Sequence, residues 1–238
     1  MILSHKNKFI FFKPLKSAGS SVELALTAYC GLDDVLTGSP YQTEKELGYC
    51  SRNNRLGYRE VWHQHTPPSE FFSGGNDPSM FYDYTKATVI RNPYDLVVSY
   101  FWWSFYAPDS HMKNHTLRPD PMDNTRVLKT KFQSYVESSA HFDKSGNQQN
   151  VLEWLSSRVN MFYSHHIDVF IRYEFLRIDF SKFCGQIGLD PIALRNLKGE
   201  VRRSPLHYSD YYNDNSHEIV SENFKHILKD FEYNFNDA

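Results

Sequence analysis

The sequence predicts an α/β fold with a central parallel β-sheet covered by helices on both faces. Three observations carry this expectation. Short apolar or β-rich runs at residues 8–13, 87–90 and 167–172 read as strands, a stripe with helical spacing follows each of them, and the alternation recurs along the chain.

Taken in order, residues 8–13 form a β-rich run interrupted at Pro14. Val22, Ala25, Leu26 and Tyr29 then fall at i, i+3, i+4 and i+7, the apolar stripe of an amphipathic helix. The second strand, residues 87–90, is followed by Arg91-Asn92-Pro93. Asn92 suits an N-cap, Pro93 the first helical position, and Asp95 the third, near the positive end of the helix. Tyr94, Val97, Val98, Phe101 and Trp102 trace that helix. The third strand leads into a helix near residues 175–187. Val220, Phe224, Ile227, Leu228 and Phe231 mark one C-terminal helix, with Asn215 and Glu218 as its cap.

The chain has 238 residues, enough for one sizeable core or a core with an inserted subdomain. We expect one domain over residues 1–238. The stretch at about 106–150 is rich in Pro, Asp, Asn, Ser and His, with one helical segment near 127–136. It reads as an insertion, either a lid beside the active site or a surface excursion. Hydrophobic residues make up 40% and aromatic ones 16%, which excludes a disordered chain. The formal net charge of −2 gives no global basic field for nucleic acid, so any anionic ligand must be held by a local cluster. Cys30, Cys50 and Cys184 give neither a zinc spacing nor a disulfide framework, which fits a reducing compartment. No signal-peptide core and no membrane-length apolar window is present, so the expected location is cytoplasmic and the sequon at Asn114 carries little meaning. Nothing in the sequence fixes the oligomeric state.

The segment Lys13-Pro14-Leu15-Lys16-Ser17-Ala18-Gly19-Ser20-Ser21 joins the first strand to a helix N-terminus. Unpaired N–H groups and the helix dipole make such a junction an anion site. Gly19 lets backbone approach a ligand, Ser17, Ser20 and Ser21 offer hydroxyls, and Lys16 adds a charge. The competing account is structural: Ser20 caps the helix and Glu23 completes a capping box. Lys16 precedes Gly19, whereas a Walker A loop places lysine after the glycine. In the second segment, Arg91 leaves the end of a strand, where ligands bind in open α/β sheets. Its guanidinium suits phosphate, and Ser99 follows eight residues later.

Together, PLKSAGSS and RNPYDLVVS resemble the two anion motifs of the sulfotransferases that use 3′-phosphoadenosine 5′-phosphosulfate (PAPS). The likeness is to the carbohydrate branch that includes heparan 2-O-sulfotransferase-like enzymes. In the first motif Leu15 separates Pro14 from Lys16; in the second Leu96 stands where arginine is frequent. Residues 171–190 are similar to the family's R-Y-E-x-L segment, and the C-terminal tail to its usual ending, while residues 32–59 and 106–150 have no recognised counterpart. The resemblance implies a P-loop-like three-layer sandwich. It also implies PAPS as sulfuryl donor, adenosine 3′,5′-bisphosphate (PAP) as product and no metal. Lys16, Ser17, Ala18, Gly19, Ser20 and Ser21 would hold the 5′-phosphosulfate, and Arg91 and Ser99 the 3′-phosphate. A cation of the late basic pair, Arg202 or Arg203, would close over the nucleotide. The acceptor would be a hydroxyl, or an amine, of a saccharide or small natural product.

The family's base is frequently a histidine in a K-H-x-[TS]-x-x-[ED] segment. His65, with Thr66 and Glu70, fits that spacing, and Pro67 keeps Thr66 out of helical geometry. His63 is the rival, because residues i and i+2 of an extended segment face one side. Glu60 and Glu70 are further alternatives, whereas His165 and His166 read as bounding a loop. Two other functions share this core: a nucleoside-kinase-type phosphoryl transferase, disfavoured by the lysine–glycine order, and a non-catalytic nucleotide-binding module.

Overall fold

The computed structural model describes residues 1–37, 62–73, 78–107, 110, 112–113, 115–138, 141–142, 148–163, 166–197 and 201–236. Cys50, Glu60, Asn114 and His165 lie outside these. By their internal packing the residues group into two compact units, Met1–Ile90 with Val159–Leu197, and Arg91–Arg158 with Lys198–Ala238.

In chain order the elements are β1 (Ile2–Ser4), β2 (Phe9–Phe12), α1 (Gly19–Thr27), β3 (Val35–Leu36), α2 (Pro68–Ser73), β4 (Thr85–Ile90) and α3 (Pro93–Tyr106). They continue with α4 (Thr125–Glu137), β5 (His141–Phe142), β6 (Gln148–Gln149), α5 (Val151–Asn160), β7 (Val169–Arg172), α6 (Leu176–Gln186), α7 (Asp214–Asn223) and α8 (Lys225–Asp230).

The first unit is built on a five-stranded sheet of order β3-β1-β2-β4-β7. β2, β4 and β7 are parallel, with Phe12 opposite Thr88 and Ile90 opposite Arg172. β1 runs antiparallel to both β2 and β3, so the sheet is mixed and not wholly parallel as the sequence suggested. The cause is a tight hairpin ahead of β2. It is tied to Asp34, whose carboxylate accepts from the Ser4 hydroxyl and from the N–H groups of His5, Lys6 and Gly31.

All four residues of β2 are buried, because both faces of the sheet are covered. Phe9 and Phe11 enter one core with Val22, Ala25 and Leu26 of α1 and Phe180 and Phe183 of α6. Ile10 and Phe12 enter the other with Trp62, Phe71, Phe81 and Tyr84. The alternation of side chains along one strand thus produces a layer on each side.

The second unit is helical around α3. Asn92 caps α3 by accepting from the Tyr94 N–H at 3.0 Å, with Pro93 in the first turn, as the sequence predicts. Phe101 of α3 packs edge-on against Phe132 and Tyr135 of α4, and the Trp102 indole N–H donates to the Tyr211 hydroxyl. Residues 106–150, expected as an insertion, fall in this unit and include α4. The C-terminal helix is two helices, interrupted at Phe224, and its cap is Asn213 paired with Ser216 in place of Asn215 and Glu218. No described helix is long and apolar enough to cross a membrane.

Candidate functional site

The loop after β2 departs from ordinary backbone geometry. Lys16 and Ala18 have φ of 55° and 60°, in the left-handed region, with Ser17 between them outside it. Alternation of this kind turns successive N–H groups toward one concavity, the nest that holds anions in phosphate loops. The loop opens directly onto the N-terminus of α1, where the N–H groups of Ser21 and Val22 turn back to the Ala18 carbonyl and those of Gly19 and Ser20 precede the first such bond. Ser17 is 0% exposed and its hydroxyl has no hydrogen-bond partner. A buried, unsatisfied hydroxyl costs roughly 1–3 kcal/mol, and this one lies beside the nest, where it is available to an anion.

One expectation about this loop needs correcting, and two further contacts are added to it. Ser20 does not cap α1: the N-cap is Ala18, with no side-chain bond, and Glu23 is drawn away to a buried ion pair. Gly19 is required from below, since a Cβ there would lie 2.6 Å from Cγ of Lys13, whose side chain runs beneath the helix start. The Ser21 hydroxyl accepts from the Leu197 N–H at 3.3 Å, and so ties down a distant segment.

Lys13, which sequence reasoning passed over in favour of Lys16, is the most connected residue of the region. Its ammonium lies 2.5 Å from Glu23 and donates to Gln64 Oε1 at 3.3 Å. The Met1 amino group donates to the other oxygen of Glu23 at 2.6 Å. Lys13 and Glu23 are both about fully buried, which such charges tolerate only when paired. The signal available in the sequence was a second lysine on the far side of Pro14, with nothing to show that it turns inward.

Residues 63–66 form a turn, not the extended entry the sequence suggested. The Thr66 hydroxyl accepts from the His63 N–H and donates to the His63 carbonyl, and the Thr66 N–H donates to that carbonyl as well. Trp62 and Phe71, with ring centroids 4.7 Å apart and planes tilted by 32°, anchor the turn in the second core. This geometry separates the two histidines. Nδ1 of His65 lies 2.8 Å from the Lys13 carbonyl, which can only accept, so Nδ1 carries the proton and Nε2 keeps its lone pair. Nδ1 of His63 instead accepts from the His65 N–H, which places the His63 proton on Nε2, 3.6 Å from the Glu70 carboxylate. His65 therefore presents an unprotonated ring nitrogen where His63 presents none. Burial first, and then the Lys13 ammonium, push the His65 imidazole down to about 3.

In the second unit Arg91 is buried, and its Nε and Nη2 both donate to Oδ2 of Asp95, at 2.8 and 2.6 Å. Arg202 donates from Nη1 to the other oxygen, Oδ1, at 2.9 Å, and from Nη2 to the Leu206 carbonyl. Two guanidinium groups share one carboxylate, which leaves one positive charge in excess. Ser99 follows Asp95 by one turn on the same face of α3. Arg203 diverges from its neighbour and lies over the Tyr106 ring at 4.6 Å. Of the two late arginines, Arg202 is the one gathered with Arg91.

β2 and β4 are adjacent and parallel, so the ends from which the chain runs into Lys13 and Arg91 lie side by side in the first unit. Comparison with protein-family models, curated proteins and solved structures finds no match to this chain.

Proposed function

We propose that the chain is a sulfotransferase on a P-loop-like sandwich, moving a sulfuryl group from PAPS to a hydroxyl or amine of a saccharide or small-molecule acceptor. The observation that carries this reading is the loop after β2. Left-handed residues flank a buried, unpartnered Ser17 hydroxyl at the start of a nine-residue helix, on a strand whose parallel neighbour leads into Arg91. The resemblance of PLKSAGSS and RNPYDLVVS to the family motifs supplies the identity of the anion.

In this reading Nε2 of His65 takes the acceptor proton. The acceptor oxygen then forms a bond to sulfur as the bond from sulfur to the 5′-phosphate oxygen breaks, in line. Lys16 and the N–H groups of Ser17, Ala18, Gly19 and Ser20 receive the charge that builds on that phosphate, with the Ser21 N–H engaged by the Ala18 carbonyl and its hydroxyl left to donate to the ligand. Arg91 and Ser99 hold the 3′-phosphate, with Arg202 beside them. PAP leaves, and the proton on His65 passes to solvent.

Calorimetric titration with PAP and, separately, with ATP–magnesium tests the reading, alongside an acceptor screen with labelled PAPS read by mass spectrometry. The expected result is that PAP binds and ATP–magnesium does not. Binding of ATP–magnesium with no affinity for PAP would overturn it. Lys16→Ala should lower turnover at least about a hundredfold, the scale for removing a charge-stabilising donor, with the folding transition little changed. Arg91→Ala should chiefly weaken PAP binding.

A further inference from the structure

We infer that Lys13 is a positioning residue for His65: its carbonyl fixes the tautomer that leaves Nε2 as proton acceptor, and its ammonium, locked to Glu23 and Gln64, holds that carbonyl in place. The catalytic sense of this role rests on reading His65 as the base, but the geometry is independent of which reaction is catalysed.

The bonds around Lys13 have one common effect. The carbonyl of Lys13 meets Nδ1 of His65 at 2.8 Å, while its side chain leaves in another direction to Glu23, on the second turn of α1. The same ammonium reaches Gln64, the residue immediately before His65. Lys13 therefore grips the histidine segment at two adjacent residues, once through main chain and once through side chain. Its methylenes support the helix start so closely that position 19 admits no side chain without a shift. The anion loop and the histidine turn consequently share one buried strut. With a 2% exposed side chain neutralised by Glu23, Lys13 is poorly placed to touch a ligand itself. That separates it from Lys16, which the proposed reaction uses directly.

The charges around the imidazole agree with this role. Lys13, the Met1 amino group and His63 all disfavour a cation on His65, while Glu23 is already engaged by Lys13 and Met1, and Glu70 faces His63. A neutral ring with its proton directed at a carbonyl can rotate only by losing that bond.

Nitrogen-15 NMR of the histidine rings, with His65 assigned by comparison with His65→Gln, tests this without nucleotide or acceptor. In the wild-type protein His65 should show the Nδ1–H tautomer and remain neutral from pH 8 to pH 5. An Nε2–H tautomer, or protonation with a midpoint near the ordinary value for histidine, overturns the inference. The double variant Lys13→Met, Glu23→Gln removes both charges while keeping the volume. It should convert the single tautomer to a mixture and move the onset of protonation up by about one pH unit. A ring unchanged in both respects would equally overturn the role given to the lysine. Failure of sulfuryl transfer with these NMR results intact would instead count against the reaction alone.

Discussion

Two neighbouring residues in the anion loop should respond in opposite ways to a one-carbon change. Ala18 sits at φ 60°, ψ 16°, a conformation that costs an L-residue roughly 1–2 kcal/mol and glycine nothing. Ala18→Gly should therefore be neutral or slightly stabilising, within about 1 kcal/mol once the greater freedom of glycine in the unfolded chain is set against the relief. Gly19→Ala adds a methyl whose nearest neighbour, Lys13 Cγ, is only 2.6 Å away. The lysine chain cannot easily yield, being buried and held at its far end by Glu23. Overpacking of this kind costs about 1–3 kcal/mol. Urea unfolding of both variants checks the pair, and equal midpoints would show that the loop is not shaped as described. Lys13 itself was not legible from its neighbourhood. A lysine after an aromatic strand reads as the polar end of that strand, and only the burial of Glu23, ten residues later and on the second turn of α1, reveals why it turns inward.

At the scale of elements, the repeated alternation of apolar runs and helical stripes made β2, β4, β7, α1, α3 and α6 legible. Each is long enough, or apolar enough, for its period to show. β1 and β3 escaped because they have only three and two residues, and a sheet edge formed by a hairpin leaves no periodic trace. Caps were legible where the polar side chain kept an oxygen for the helix N–H. Asn92 met that condition, whereas Glu23 had a buried lysine to satisfy, so the capping box expected at α1 did not form. The C-terminal tail shows the same rule from the other side. Asn213 and Ser216 bond reciprocally at 2.8 and 3.0 Å, two positions before the cap the sequence suggested. Replacing Asn213 with alanine should cost about 1 kcal/mol, and with glycine only a few tenths. The same substitutions at Asn215, which lies inside α7, should not reproduce that order, because glycine in a helix interior costs more than alanine. Thermal melts of the four variants decide between the two caps.

Over the whole molecule, the first unit is assembled from two separate stretches of chain, and the second stretch adds β7 beside β4. His65 lies in the first of these stretches, so a proton taken up by its ring bears on the stability of the unit as a whole. In the unfolded chain the imidazole protonates at its ordinary value of 6.5, while in the folded chain it stays neutral until about 3. Above pH 6.5 neither state holds this proton and the histidine contributes no pH dependence. As pH falls from 6.5 toward 3 the unfolded state binds a proton that the folded state refuses, so stability declines across that window. The steepest slope one such group gives is about 1.4 kcal/mol per pH unit, and His65 will show less than this because its side chain is only partly buried. His65→Gln keeps an amide N–H able to reach the Lys13 carbonyl but cannot titrate. Urea midpoints for the two proteins should therefore run together above pH 7 and separate below pH 6, with the variant the flatter. Curves that stay parallel down to pH 4 would mean that the folded state admits the proton after all, and that the ring is not held neutral against the lysine carbonyl.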